Sequence, residues 1–145
     1  MEHPKALGPM LGCCAHLVRE RMDARMSRFG MTPAQTHVLL HLRQNGGQMP
    51  QRELLDSLKV KPSTVTGILD RMEEQGLVER TVSGADARQR LVALTPAGLE
   101  REEQVKQCFL DAETLIARGL TKEEAETLRG LLERVIHNLE EDRTV

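Results

Sequence analysis

The sequence predicts a mainly α (α+β) fold, a winged helix-turn-helix carried between long N- and C-terminal helices. Three observations predict it. Apolar residues recur at helical spacing along most of the chain. Two short helical segments are joined by the tight turn "KVKP". Two β-rich runs of alternating character, "LVERTV" and "RLVALT", follow directly, separated by a polar loop holding Gly84.

Taken in order, residues 6–29 read as a helix with Leu7, Leu11, Cys14, Val18, Met22 and Phe29 near one stripe. In "MTPAQ", Thr32 caps a second helix and Pro33 takes its first position. That helix runs through "HVLLHLRQ" and stops at Asn45-Gly46-Gly47. A short helix covers "PQRELLDSL", and after "KVKP" Pro62 opens another that runs through Gln75 to Gly76. The hairpin follows, and Thr95-Pro96 starts a long helix to about Arg118. "TKEE" from Thr121 is a capping box, with Glu124 three residues on. It opens a last helix bearing Leu128, Leu131, Leu132, Val135, Ile136 and Leu139 on one face.

A chain of 145 residues fits one domain, 1–145, and buries a substantial core. With aromatics at 1%, that core must be built from Leu, Val, Ile and Met. The net charge of -2 excludes a uniformly basic coat, yet the acidic excess is local. Residues 96–145 carry seven Lys/Arg against twelve Asp/Glu, whereas residues 51–95 carry seven of each. No apolar run is long enough to span a membrane, and the N-terminal stretch lacks a secretory pattern. Three cysteines without a disulfide framework suit a reducing cytoplasm, the expected location.

The helix beginning at Pro62 has two chemically distinct faces. At about 100° per residue from Ser63, Val65, Ile68, Leu69 and Met72 fall between roughly 140° and 240°. Ser63, Thr64, Thr66, Gly67, Asp70 and Arg71 occupy the other side. Short hydroxyls bond phosphates or base edges, and Gly67 allows close approach to a groove floor. Ser63 and Thr64, with Lys61 just before them, lie where free backbone N–H groups favour a phosphate. A polar helix face is also what any solvated helix shows, so the hairpin has to decide. Arg88 and Arg90 sit at or near its tip, where a guanidinium reaches a minor groove or a phosphate at little cost. Asp86, two residues before Arg88, can pre-orient it by a charge-assisted bond.

"DARQRLVALT" fits the D-x-R-x-x-x-x-x-L-T wing signature, and the chain resembles the multiple-antibiotic-resistance regulator (MarR) family on it. "STVTGILDRMEEQGLVER" is similar to that family's recognition helix, "MTPAQTHVLLHL" to the helix before it, and "LTKEEAETLRGLLERVI" to its last helix. The resemblance implies a homodimeric transcription regulator, a repressor released by a signal, bound to a pseudo-palindromic operator in double-stranded DNA. It implies dimerisation helices at 1–30 and 119–145, a DNA-binding lobe at 31–95 with its wing at 77–95, and a connecting helix at 96–118. It further implies Arg88 in the minor groove, Asp86 as its orienting partner, and Ser63, Thr64, Thr66, Asp70 and Arg71 at the major groove. Gly67 departs from the pattern, since many members carry a long polar residue there. Discrimination then falls to Thr66, Arg71 and DNA shape.

For a signal, the candidates are Cys13, Cys14 and His16 on the first helix, His37 and His41 on the second, and Cys108 on the fifth. Thiolates and imidazoles suit a transition metal, for which Cys13, Cys14, His16, His41 and Cys108 are the candidate ligands; exposed thiols suit oxidants. A free Cys also serves as a small buried hydrophobe, and a His pair without a third ligand as filler. No cofactor is required; the effector is a small molecule, a metal or an oxidant. No catalytic motif is visible, so an enzyme is not expected. The other reading is a metal- or thiol-sensing winged-helix protein or protein–protein adaptor with weak or lost DNA binding.

Overall fold

The computed structural model describes residues 2–82 and 88–142. Its elements run α1 (Leu7–Ser27), α2 (Pro33–Gln44), β1 (Gln48–Pro50), α3 (Gln51–Leu58), α4 (Pro62–Glu74), β2 (Val78–Val82), β3 (Arg90–Leu94), α5 (Pro96–Ile116) and α6 (Lys122–Glu141). The chain divides into two compact units, Met1–Leu110 and Asp111–Val145.

In the first unit, local chemistry sets where each element begins and ends. Thr32 Oγ1 accepts from the Gln35 N–H at 3.2 Å, and the Thr32 N–H donates to Gln35 Oε1 at 3.3 Å, a complete capping box for α2. The far end of α2 closes when the Gly47 N–H reaches back to the Leu42 carbonyl at 2.8 Å. α3 stops at Lys59, whose left-handed φ of 53° turns the chain toward α4. Gly76, at φ 74°, ends α4, and the Leu77 N–H then bonds the Met72 carbonyl at 2.9 Å. A side chain at that φ carries a steric cost that glycine avoids.

β1 is the element that the sequence reading lacks. It has three residues, too few to show a period, and it exists because β3 offers it an edge. Gln48, Met49 and Pro50 pair antiparallel with Ala93, Val92 and Leu91, and the Leu94 N–H bonds the Gly47 carbonyl at 2.8 Å. The predicted hairpin is therefore two strands of a three-stranded sheet ordered β1-β3-β2, with β3 in the centre.

The core is built from Val38, Leu39 and Leu42 of α2, Leu54 of α3, and Val65, Leu69 and Met72 of α4, against Val78 and Val92 of the sheet. Val105 of α5 joins them. Each such side chain contributes about 1.5–3 kcal/mol on burial. Methionines 26, 31, 49 and 72 do the gap-filling that aromatics often do, as the composition required. The entry to α5 is tight: a Cβ added at Gly98 would stand 2.0 Å from the Leu77 carbonyl oxygen. Thr95 secures that junction, its Oγ1 accepting from the Gly98 N–H at 3.0 Å and donating to the Gly76 carbonyl.

Two boundary corrections concern the long helices. α1 spans Leu7–Ser27 rather than 6–29, and α5 ends at Ile116, short of Arg118. Of the expected α1 stripe, only Met22 and the following Phe29 pack against the core. Met26 is the buried residue of α1, whereas Leu7 is 74% exposed and Cys14 and Val18 are exposed. α1 meets the core through its C-terminal end, where Arg101 Nη1 donates to the Phe29 carbonyl and Arg25 Nη1 to the Cys108 carbonyl at 3.5 Å.

The second unit holds the end of α5 and all of α6. Thr121 Oγ1 accepts from the Glu124 N–H at 3.1 Å, and Glu124 Oε1 accepts from the Thr121 N–H at 2.9 Å. The Thr121 N–H, and then its side chain, holds the Glu124 carboxyl below its ordinary value. No described residue of α6 is buried, although it carries the apolar face read from the sequence.

Candidate nucleic-acid interface

α4 has the two faces the sequence predicts. Val65, Leu69 and Met72 are buried, Ile68 is half-buried, and Ser63, Thr64, Thr66, Gly67, Asp70 and Arg71 are exposed. Pro62 fits the first helical position, and Lys61, exposed at the N-cap, makes no side-chain capping bond. Pro62 has no N–H, and the Thr64 and Val65 N–H groups bond the Lys61 carbonyl at 3.0 and 3.2 Å, so of this turn it is the Ser63 N–H that is left to bond what lies in front of it. Thr66 Oγ1 donates to the Pro62 carbonyl at 3.1 Å, so its proton is engaged and its lone pairs are what it can offer a ligand. A Cβ at Gly67 would meet nothing within 4 Å, and the space above this turn is open.

Two clefts flank α4. One, of about 400 Å³, is lined by Thr32, Gln35, Thr64, Gly67, Ile68 and Arg71. The other, of about 420 Å³, brings the wing to the helix: Arg88, Gln89 and Arg90 face Pro62, Val65 and Thr66, with Gln51, Arg52 and Leu55 of α3 as the third wall. Arg88 and Arg90 are exposed. Three guanidinium-bearing residues thus line one open cleft, and their summed field attracts a polyanion. Arg52 is a member that the sequence reading missed. The only signal for it was its place at the start of a short helix, which means nothing until the wing is folded beside it. Asp86 and Gly84 lie outside the described residues.

Asp70 has a partner within the protein. Arg80 of β2 donates from Nη2 to Asp70 Oδ1 at 2.5 Å and from Nε to Glu73 Oε2 at 2.9 Å. The bond from Arg80 is the main reason the Glu73 carboxyl sits below its ordinary value, and the two acids in turn raise the Arg80 guanidinium.

The proposed sensing residues are scattered. Cys13 is half-buried, Cys14 exposed and Cys108 buried. His16 is exposed, 3.7 Å from Glu20, while the rings of exposed His37 and half-buried His41 lie 6.3 Å apart along α2. Among the described residues, no group of three or more His, Cys, Asp or Glu side chains is placed to hold a metal. The metal set Cys13, Cys14, His16, His41 and Cys108 is therefore corrected: the structure does not assemble it. The reason is geometric. The Cys108 carbonyl meets Arg25, twelve residues along α1 from Cys13, which is about 18 Å of helix rise.

A helix-turn-helix with a three-stranded wing, a polar recognition helix and arginines beside it defines a DNA-binding module of the winged-helix class. Comparison with known proteins narrows the class. Residues 29–89 match the model of the MarR family. The chain is 31% identical over 121 residues to the HTH-type transcriptional repressor IacR of Pseudomonas putida, covering 83% of this chain and 72% of that protein. It is 30% identical to MarR of E. coli in its apo form, with a TM-score of 0.76 over 92% of this chain and 98% of that one. A point mutant of S. aureus MepR bound to an oligodeoxyribonucleotide shares the fold, with a TM-score of 0.73 at 22% identity over 94% of this chain and 99% of that one. The chain belongs to the MarR family and is a DNA-binding transcriptional regulator. No described helix is long and apolar enough to cross a membrane.

Proposed function

We propose that the protein is a non-enzymatic repressor that binds a pseudo-palindromic operator as a homodimer and leaves it on a signal. The observation that carries this reading is the single cleft where Arg88 and Arg90 of the wing, Arg52 of α3 and Thr66 of α4 converge. α4 enters the major groove with Ser63, Thr64, Thr66, Gly67 and Arg71 toward the bases and phosphates. Arg88 reaches the adjacent minor groove, while Arg52, Lys61 and Arg90 take phosphates. The exposed leucines of α6 and the exposed start of α1 support self-association, because large apolar stripes in water are covered by partners. A two-fold dimer sets two copies of α4 about 34 Å apart, one turn of DNA. The signal is a small molecule or an oxidant of Cys13 or Cys14, and it acts by changing that spacing.

The test is a binding titration on the DNA upstream of the protein's own and neighbouring genes, at several salt concentrations. Affinity falls steeply as salt rises. Arg88→Ala weakens binding by about tenfold or more and leaves the dimer intact. Unchanged affinity in that variant overturns the wing's role.

A further inference from the structure

Arg80 is an arginine of the DNA-binding lobe that lines neither of the two clefts beside α4. Its side chain is only 13% exposed, against 54% for Asp70 and 44% for Glu73. It lies two residues beyond buried Val78, on the same face of β2, so it occupies a strand position that an apolar residue would normally take. Its stem is covered and its guanidinium is spent on two carboxylates of α4. Asp70 and Glu73 are three residues apart and so neighbour each other on the helix surface, where one planar fork engages both.

That arrangement solves an electrostatic difficulty. Asp70 lies on the same polar side of α4 as Ser63 and Gly67, the side offered to DNA. An uncompensated carboxylate there repels phosphate, and two repel it more. The trio carries a net charge of minus one with Arg80 and minus two without it. The same two bonds also tie the second half of α4 to the first strand of the wing. We propose that Arg80 is a positioning residue for DNA recognition: it couples the wing to the recognition helix and holds the Asp70 and Glu73 carboxylates away from the phosphates. The proposal rests on the interface described above and gives Asp70 a partner inside the protein in place of a contact with a base.

Arg80→Met, which keeps the stem and deletes the charge, should bind operator DNA about tenfold or more weakly at about 0.1 M salt, with the dimer retained. Added in the same chain, Asp70→Asn with Glu73→Gln should return most of the lost affinity, and the deficit of Arg80→Met should shrink as salt rises. A merely structural brace gives neither result. Undiminished affinity in Arg80→Met, or a loss that the paired amide substitutions leave unrepaired, overturns the proposal. Where Arg80→Met folds too poorly to titrate, Arg80→Lys carries the test. Its single ammonium cannot fork to both acids, so a smaller loss is expected, eased by Asp70→Asn; no loss, or one not eased, overturns the proposal. Arg88→Ala runs in parallel: if it weakens binding while the Arg80 variants do not, this proposal alone falls. If neither weakens it, the interface itself falls as well.

Discussion

α4 and α6 are both amphipathic helices, and the protein uses them in opposite ways. α4 buries Val65, Leu69 and Met72 and turns its polar side outward, without any side-chain cap at its start. α6 begins with a complete capping box and buries none of its described residues, leaving Ile136 53% and Leu139 68% exposed. One helix is fixed by tertiary packing, the other by local bonds at its first turn. Periodicity says that a face will be covered; it does not say whether by the same chain or by another copy.

The largest expected effect comes from the uncovered face. Leu132→Glu with Ile136→Glu should convert dimer to monomer in sedimentation and weaken operator binding by about a hundredfold, since each half-site is then bound alone. A dimer that survives both charges would erase the contrast. The core side comes next. Leu69→Ala should cost about 3 kcal/mol in denaturant unfolding, whereas Leu132→Ala measured on the monomer should cost no more than about 0.5 kcal/mol. Equal costs would mean that α6 is packed within its own chain.

Smaller effects sharpen the comparison. Gly67→Ala, in open space on an exposed helix face, should stabilise the fold by about 0.5–1 kcal/mol. If α4 does sit close to the groove floor, the same variant loses operator affinity; gained stability with unchanged affinity assigns Gly67 no part in the contact. The smallest effect is acid dependence. Glu124 has a folded value below its ordinary 4.5, so its contribution is present above that pH and is lost as pH falls through the folded value. Glu73, held by Arg80, follows the same sign. An NMR titration should place the Glu124 midpoint below 4.5; a midpoint at or above it would remove the cap.

Features whose cause lies within a few residues were legible in the sequence. The Thr32 cap, the capping box at Thr121, the stop at Gly76 and the two faces of α4 follow from neighbours along the chain. Arg88 and Arg90 were legible through their place after a helix-turn-helix. What escaped depends on distant segments. β1 exists only because β3 passes beside it, and Arg52 gains meaning only when the wing folds back to α3. Gly98 is required by the Leu77 carbonyl twenty-one residues earlier, and Asp70 is claimed by an arginine ten residues on. The cysteines and histidines illustrate the converse: residue types suggested a metal set, and the length of α1 keeps its members apart.

β3, "RLVAL", is the most apolar strand of the sheet, and both of its edges are taken, by β1 and β2. The outer edges that remain are a three-residue strand ended by Pro50 and a strand carrying Glu79 and Arg80. Neither offers the long, flat, uncharged template that recruits a further strand. The sheet is thereby guarded against the edge-to-edge stacking that leads to aggregation, and contact between copies is left to the helices.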